Sequence, residues 1–189
     1  AMVGVAAAIG PPPGEMPLRV VTLRYTPNIG NGVSVSIALE DPARHNGGAI
    51  GGFVGVAQTP EIVANISARG SWGRFQLSGA AHNNEYFDAT VTSGSSWGWA
   101  GQAALVLNVP NMGQDTLHVV AGFHSGASGY MTTGIGGGGP RASVGVNTTG
   151  GLDDIDGWFV SAGYPPFWSP TLRSTLAGKR THRDHNLIA

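Results

Sequence analysis

Several groupings of reactive side chains stand out, and none completes a chemistry. His182, Arg183 and Asp184 spell a tripeptide found in kinase catalytic loops, but neither the distant asparagine nor a glycine-rich nucleotide loop accompanies it. His182 and His185 have a metal-ligand spacing, yet no helix presents them and no third ligand is evident. Asp153, Asp154 and Asp156 could offer oxygen ligands to a divalent cation. As a lone cluster in a long loop they read as solvated carboxylates. The run Gly136–Gly139 lacks the Gly-Lys-Ser/Thr that phosphate cradling needs and opens no helix, so it reads as loop. The patterns Asn65-Ile66-Ser67 and Asn147-Thr148-Thr149 carry no weight by themselves. No Ser/His/Asp arrangement can be singled out. The absence of cysteine excludes thiol chemistry, thiolate metal sites and a disulfide scaffold, and it is compatible with an oxidising compartment. We therefore expect no catalytic residue, no metal and no cofactor.

The polar residues that remain are organised by the strands that carry them. Strict period-two alternation recurs about eight times. Val33, Val35, Ile37 and Leu39 alternate with Ser34, Ser36, Ala38 and Glu40. Phe75 and Leu77 alternate with Arg74, Gln76 and Ser78, and Leu117, Val119, Ala121 and Phe123 with Thr116, His118, Val120, Gly122 and His124. Side chains alternate across a strand, so each such segment has one apolar and one polar face. Less clean examples span residues 18–26, 62–69, 97–109, 158–164 and 171–179. No segment has a helical period, and the chain is predicted to be all-β.

Connections alternate in length. Short turns rich in Pro, Gly, Asn or Ser fall at residues 27–31, 70–73, 110–114 and 165–170, and long segments at 42–60, 83–96 and 125–156. Short turns at one end and long loops at the other are the layout of outer-membrane barrels. Tyr25, Trp72, Phe75, Tyr164, Phe167 and Trp168 sit by the short turns, and Trp97, Trp99, Phe123 and Trp158 toward the long loops. Two aromatic groups separated by aliphatic strand centres are what two membrane interfaces select, although aromatics filling a β-sandwich core would give a similar pattern. Alternation, loop asymmetry and low charge together favour the barrel. Charged residues are 11% of the chain, under half the usual globular share, glycine is abundant at 31, and Lys179 is the single lysine. Something other than charge must cover the surface. A net charge of −1 also argues against a nucleic-acid partner. We divide the chain into an irregular start (1–17), barrel strands (18–179) and a polar tail (180–189), in which the alternation is lost.

Several of these segments resemble the alphaproteobacterial general porins: LRYTPNIGNGVSVSIALEDP (23–42), PEIVANISARGSWGRFQLSGAAH (60–82), GWAGQAALVLNVP (98–110) and DGWFVSAGYPPFWSPTLRSTLAG (156–178). The resemblance implies an antiparallel transmembrane β-barrel of 16 strands, of which about eight are present here, half of a porin barrel. It implies homotrimers in the outer membrane, in contact with its lipid, passing small hydrophilic solutes and ions without energy input. It also implies that the family's pore-narrowing loop lies upstream of residue 18. The chain departs from the family at both ends: residues 11–13 are three prolines, and the end lacks the aromatic with which such barrels finish. We expect a fragment or a truncated product.

With the apolar sets turned outward, Arg24, Asn65, Arg69, Arg74, Gln76, His82, Gln102, His118, His124 and Arg173 face inward. Arg24, Arg69, Arg74 and Arg173 lie within a few residues of short turns. They form either a cationic rim at the periplasmic mouth, mildly favouring anions, or ordinary interfacial arginines. Two rivals to a channel stand beside it. One is a closed eight-stranded anchor or adhesion barrel with a filled interior; the other is an outer-membrane or secreted hydrolase, for which no nucleophile and base can be named. Pairing between residues 18–26 and 171–179 would mark self-closure.

Overall fold

In a computed structural model, residues 22–42, 54–55, 59–87, 93–110, 115–130, 144–146, 152–169 and 172–184 are described. Fourteen strands follow one another among them: β1 (Thr22–Tyr25), β2 (Asn28–Gly30), β3 (Val33–Glu40), β4 (Val54–Gly55), β5 (Glu61–Gly70), β6 (Gly73–Phe87), β7 (Ser93–Asn108), β8 (Thr116–Ser125), β9 (Val144–Val146), β10 (Leu152–Asp154), β11 (Asp156–Tyr164), β12 (Phe167–Ser169), β13 (Leu172–Arg173) and β14 (Leu176–Asp184). The principal sheet is an antiparallel meander in the order β1-β3-β5-β6-β7-β8-β11-β14, with β2 and β4 attached to β3 and β6. The all-β expectation and the eight principal strands hold. A 3₁₀ turn, Ser128–Tyr130, follows β8.

The hairpins follow local chemistry. Asn31 (φ 50°) and Gly32 (φ +76°) both take the left-handed conformation between β2 and β3, the two-residue Asn-Gly turn whose twist matches that of flanking strands. A Cβ on Gly32 would stand 2.1 Å from the Arg69 carbonyl, so the adjacent strand also requires glycine there.

Registers assign the two faces. One parity carries Leu23, Tyr25, Ile37, Leu39, Ile62, Ile66, Leu77, Trp97, Trp99, Leu117, Phe123, Trp158 and Val160, all exposed. The other carries Ser36, Ala38, Glu40, Glu61, Val63, Ser78, Ala80, His82, Ala100, Gln102, Ala104 and His124, all buried. A soluble sheet does the reverse. The exposed set includes Leu23 at 75%, Phe123 at 59% and Trp99 at 56%, and each large apolar side chain left in water forgoes about 1.5–3 kcal/mol of burial. The sheet curls toward its polar face and turns its apolar face out.

Three expectations about boundaries need correcting. Residues 83–87 and 93–96 are strand, because β6 and β7 stay paired from Gly73↔Leu107 to Phe87↔Ser93; Asn84 and Ser96 share the sheltered parity, and Asn83 and Ser95 the opposite one, instead of forming a turn. The polar tail begins later than residue 180, since β14 pairs with β11 as far as Asp156↔Asp184. Backbone pairing needs no side-chain alternation, so the loss of alternation was a poor marker of the strand's end. The turn expected at 165–170 is a longer connection containing the small hairpin β12–β13, and β14 starts at Leu176 instead of residue 171. The pairing between residues 18–26 and 171–179 that would mark self-closure is not made among the described residues: β1 and β14 occupy opposite edges of the principal sheet. The irregular start (1–17), Gly136–Gly139, the Asn147 pattern and His185 lie outside the described residues.

Candidate functional site

The sheltered face is a polar wall built from in-register rows. The Ser36↔Asn65↔Ser78↔Gln102 row crosses four strands. Its neighbours bond along it: Asn65 Nδ2 donates to Ser78 Oγ at 3.0 Å, Gln76 Nε2 donates to the same oxygen at 2.9 Å, and the Ser34 and Ser67 hydroxyls meet at 2.8 Å. Side chains paired in this way present a wettable surface.

At the long-loop end the wall carries a cluster of ionisable groups. Glu40 and Glu61 are directly opposed across β3 and β5, and both are fully buried. His82 Nδ1 lies 2.5 Å from Glu61 Oε1, and the Tyr130 hydroxyl donates to Glu61 Oε2. Arg24, diagonal to Glu40 across β1 and β3, feels the Glu40 charge. Tyr130 comes from the 3₁₀ turn in the segment after β8 and packs with Ala38, Val63, Ala80 and Ala100 on the sheltered face. That segment therefore folds inward over the wall. Its entry is fastened by the Asn84 Nδ2 hydrogen bond to the Gly126 carbonyl, 2.6 Å, and Gly98 makes room for it: a Cβ there would stand 2.1 Å from the same oxygen. Burial, and then the neighbouring Glu61 carboxylate, push the Tyr130 phenol far above its ordinary range. Among the described residues no group of three or more His, Cys, Asp or Glu is placed to hold a metal ion.

Most sequence-predicted inward residues share this face. Gln76 and Gln102 lie in the polar rows, His82 in the ionisable cluster and His124 opposite Ala100. His118 faces Val106, its Nε2 2.8 Å from the Thr116 hydroxyl. Arg69 and Arg74 are opposed beside the Gly70–Gly73 turn. The four-arginine rim does not assemble as expected. Arg24 pairs with Ala38, six residues along the wall from the Arg69–Arg74 row, because β2 takes up the turn-proximal half of β3. Arg173 belongs to β13, off the principal sheet. Sequence reasoning missed Glu61 and Tyr130 as site residues; Glu61 sits on the polar parity of its strand, which was the available signal, while Tyr130 gave none.

The family model of the porin subfamily matches residues 14–175. No curated protein matches the chain. Among solved structures, the outer membrane channel DcaP of Acinetobacter baumannii superposes with a TM-score of 0.70 at 16% identity, over 87% of this chain and 44% of that one. The chain thus spans less than half the length of that channel, and the likeness is one of fold. Inverted faces, an antiparallel meander and the family match agree: the chain belongs to the porin subfamily, proteins of the bacterial outer membrane.

Proposed function

We propose that this chain forms part of the wall of a water-filled channel through which ions and small hydrophilic solutes diffuse passively. One observation carries the reading: large apolar side chains are exposed on one parity of the sheet while hydrogen-bonded polar side chains are sheltered on the other. Hydrocarbon accepts the first and excludes unpaired polar groups; water fills the space before the second. Arg24, Arg69, Arg74, Gln76, His82, Gln102 and His118 are the proposed lumen-facing residues, and Arg173 is left out because β13 lies off the wall. Diffusion needs no nucleophile, base or cofactor, and the reading is non-enzymatic. The eight principal strands are completed by further strands of the same kind, in the trimer that the family resemblance implies.

The Ser128–Tyr130 turn, clamped onto Glu61, narrows the lumen at the long-loop end. Planar-bilayer recording tests the reading. A channel of this kind shows a linear current–voltage relation and a conductance rising in proportion to salt. A protein that inserts without conducting would be a filled anchor barrel instead.

A further inference from the structure

The outer face departs from its apolar rule along β14. β14 presents Leu176, Gly178, Arg180 and His182 on the parity that elsewhere carries leucine, isoleucine and tryptophan, with Val160↔Arg180 and Trp158↔His182 in register. Arg180 and His182 are both exposed. An outward arginine costs about 2–4 kcal/mol at the bilayer midplane and little near the interface, so its depth and direction matter. Phe123, Trp158 and His182 share one row at the aromatic level toward the long loops. Arg180 leaves the backbone one outward-facing position closer to the membrane centre, yet its guanidinium lies over the Trp158 ring, 5.9 Å from the centroid. The side chain thus reaches back toward the interface. The His182 ring lies 5.9 Å from the same indole, tilted by 33°. Two nitrogen-bearing side chains converge on one tryptophan at headgroup level. Asp156 and Asp184 form the next pair toward the loops.

We propose that Arg180, His182 and Trp158 form a site for the phosphate of an anionic lipid headgroup in the leaflet at the long-loop end. The site rests on the membrane reading above but not on conduction. Its occupant follows from charge and position. A guanidinium offers a planar fork that matches a phosphate, and the indole below it fixes its direction. Val160 and Phe123 beside it are surfaces that acyl chains cover. A free phosphate would have no apolar counterpart for those neighbours. Asp156 lies one outward-facing position further toward the loops than Trp158, so the attraction for a phosphate is local to Arg180 and His182.

The test compares the full chain with Arg180→Gln, Arg180→Lys and the Arg180→Gln/His182→Gln double variant. Each is reconstituted in phosphatidylcholine vesicles doped with phosphatidic acid, and the lipids retained after extraction are counted by native mass spectrometry. Juxtamembrane cations attract anionic lipid by about 1 kcal/mol each, or about fivefold. Wild type is expected to retain phosphatidic acid about fivefold more than Arg180→Gln. The lysine variant keeps part of that preference, because charge survives and the fork does not, and the double variant keeps none. Heat-resistant gel migration reports folding and bilayer conductance reports the channel in the same samples. Equal phosphatidic acid retention by wild type and a folded double variant overturns the site. So does displacement of the lipid by inorganic phosphate, or a variant that loses oligomers while its lipid preference is unchanged, which would make the patch a contact between barrels. Retained lipid preference without conductance would sink the channel and leave the site standing.

Discussion

At the scale of single residues, Glu61 determines how the inward segment is held. Both its oxygens are engaged, one by His82 and one by Tyr130, with the three side chains buried. A hydrogen bond to a charged group is worth about 1.5–3 kcal/mol, and Tyr130→Phe deletes one while leaving the ring in its apolar setting. We expect amide hydrogen exchange at Ser128–Tyr130 to quicken by at least tenfold in this variant, with the exchange of β6 and β7 unchanged; unaltered protection would mean that the segment is held elsewhere. The same phenol sets a pH limit. Tyr130 is neutral in the fold and its pKa is raised, whereas it ionises near its ordinary value of about 10 once the segment is free. Its contribution is therefore complete below that pH and drains away as pH rises past it. Phenolate absorbance should show Tyr130 silent at pH 10 in the folded protein, and the segment's protection should fall only in more alkaline solution. This clamp was hard to see in the sequence for a physical reason. Tyr130 and Glu61 are separated by 69 positions, and nothing local to either announces the other. Glu61 could have been picked out by parity, but a glycine-rich loop conveys no register.

At the scale of elements, the meander's parity was legible because alternation is a local property, independent of what the sheet finally closes against. Strand ends were not. Asn83, Asn84, Ser95 and Ser96 have the composition of a turn, yet Glu85↔Ser95 and Asn84↔Ser96 are ladder pairs. On a wall whose sheltered side is polar, turn-forming residues are also wall-forming residues, and composition loses its discriminating power. Glycines make the distinction testable. Gly79 has an Ala100 carbonyl at 3.8 Å from an added Cβ, an ordinary contact, whereas at Gly98 the Gly126 carbonyl would be at 2.1 Å. Gly79→Ala should be nearly neutral. Gly98→Ala has to push the inward segment away from β7, costing about 1–3 kcal/mol as overpacking does. Thermal unfolding of the two variants separates them; comparable midpoints would mean that Gly126 can shift freely, contrary to the Asn84 hydrogen bond that holds it.

At the scale of the whole molecule, the proposed channel would take its selectivity from the distribution of charge over the inner wall. Arg24 stands beside Glu40, but the acidic pair and the arginine pair lie at opposite ends of the strands. Glu40 and Glu61 lie at the long-loop end, with Glu61 covered by Tyr130, and Arg69 and Arg74 are at the short-turn end beside Gly70–Gly73. The opposed arginines are a local liability, since like charges directly across an antiparallel pair destabilise by roughly 0.2–1 kcal/mol. Arg69 is exposed and Arg74 half-buried, so on the proposed reading their field would reach the lumen, while the covered carboxylate of Glu61 would contribute less to a passing ion. Replacing both arginines by glutamine should therefore do two things of opposite sign. It should leave the barrel as stable or slightly more so, and it should move the reversal potential in a salt gradient toward cations. The shift should shrink as ionic strength rises, because screening shortens to a few ångströms near 1 M. Interfacial arginines that merely snorkel to headgroups would leave the reversal potential where it was, and that result would remove Arg69 and Arg74 from the lumen.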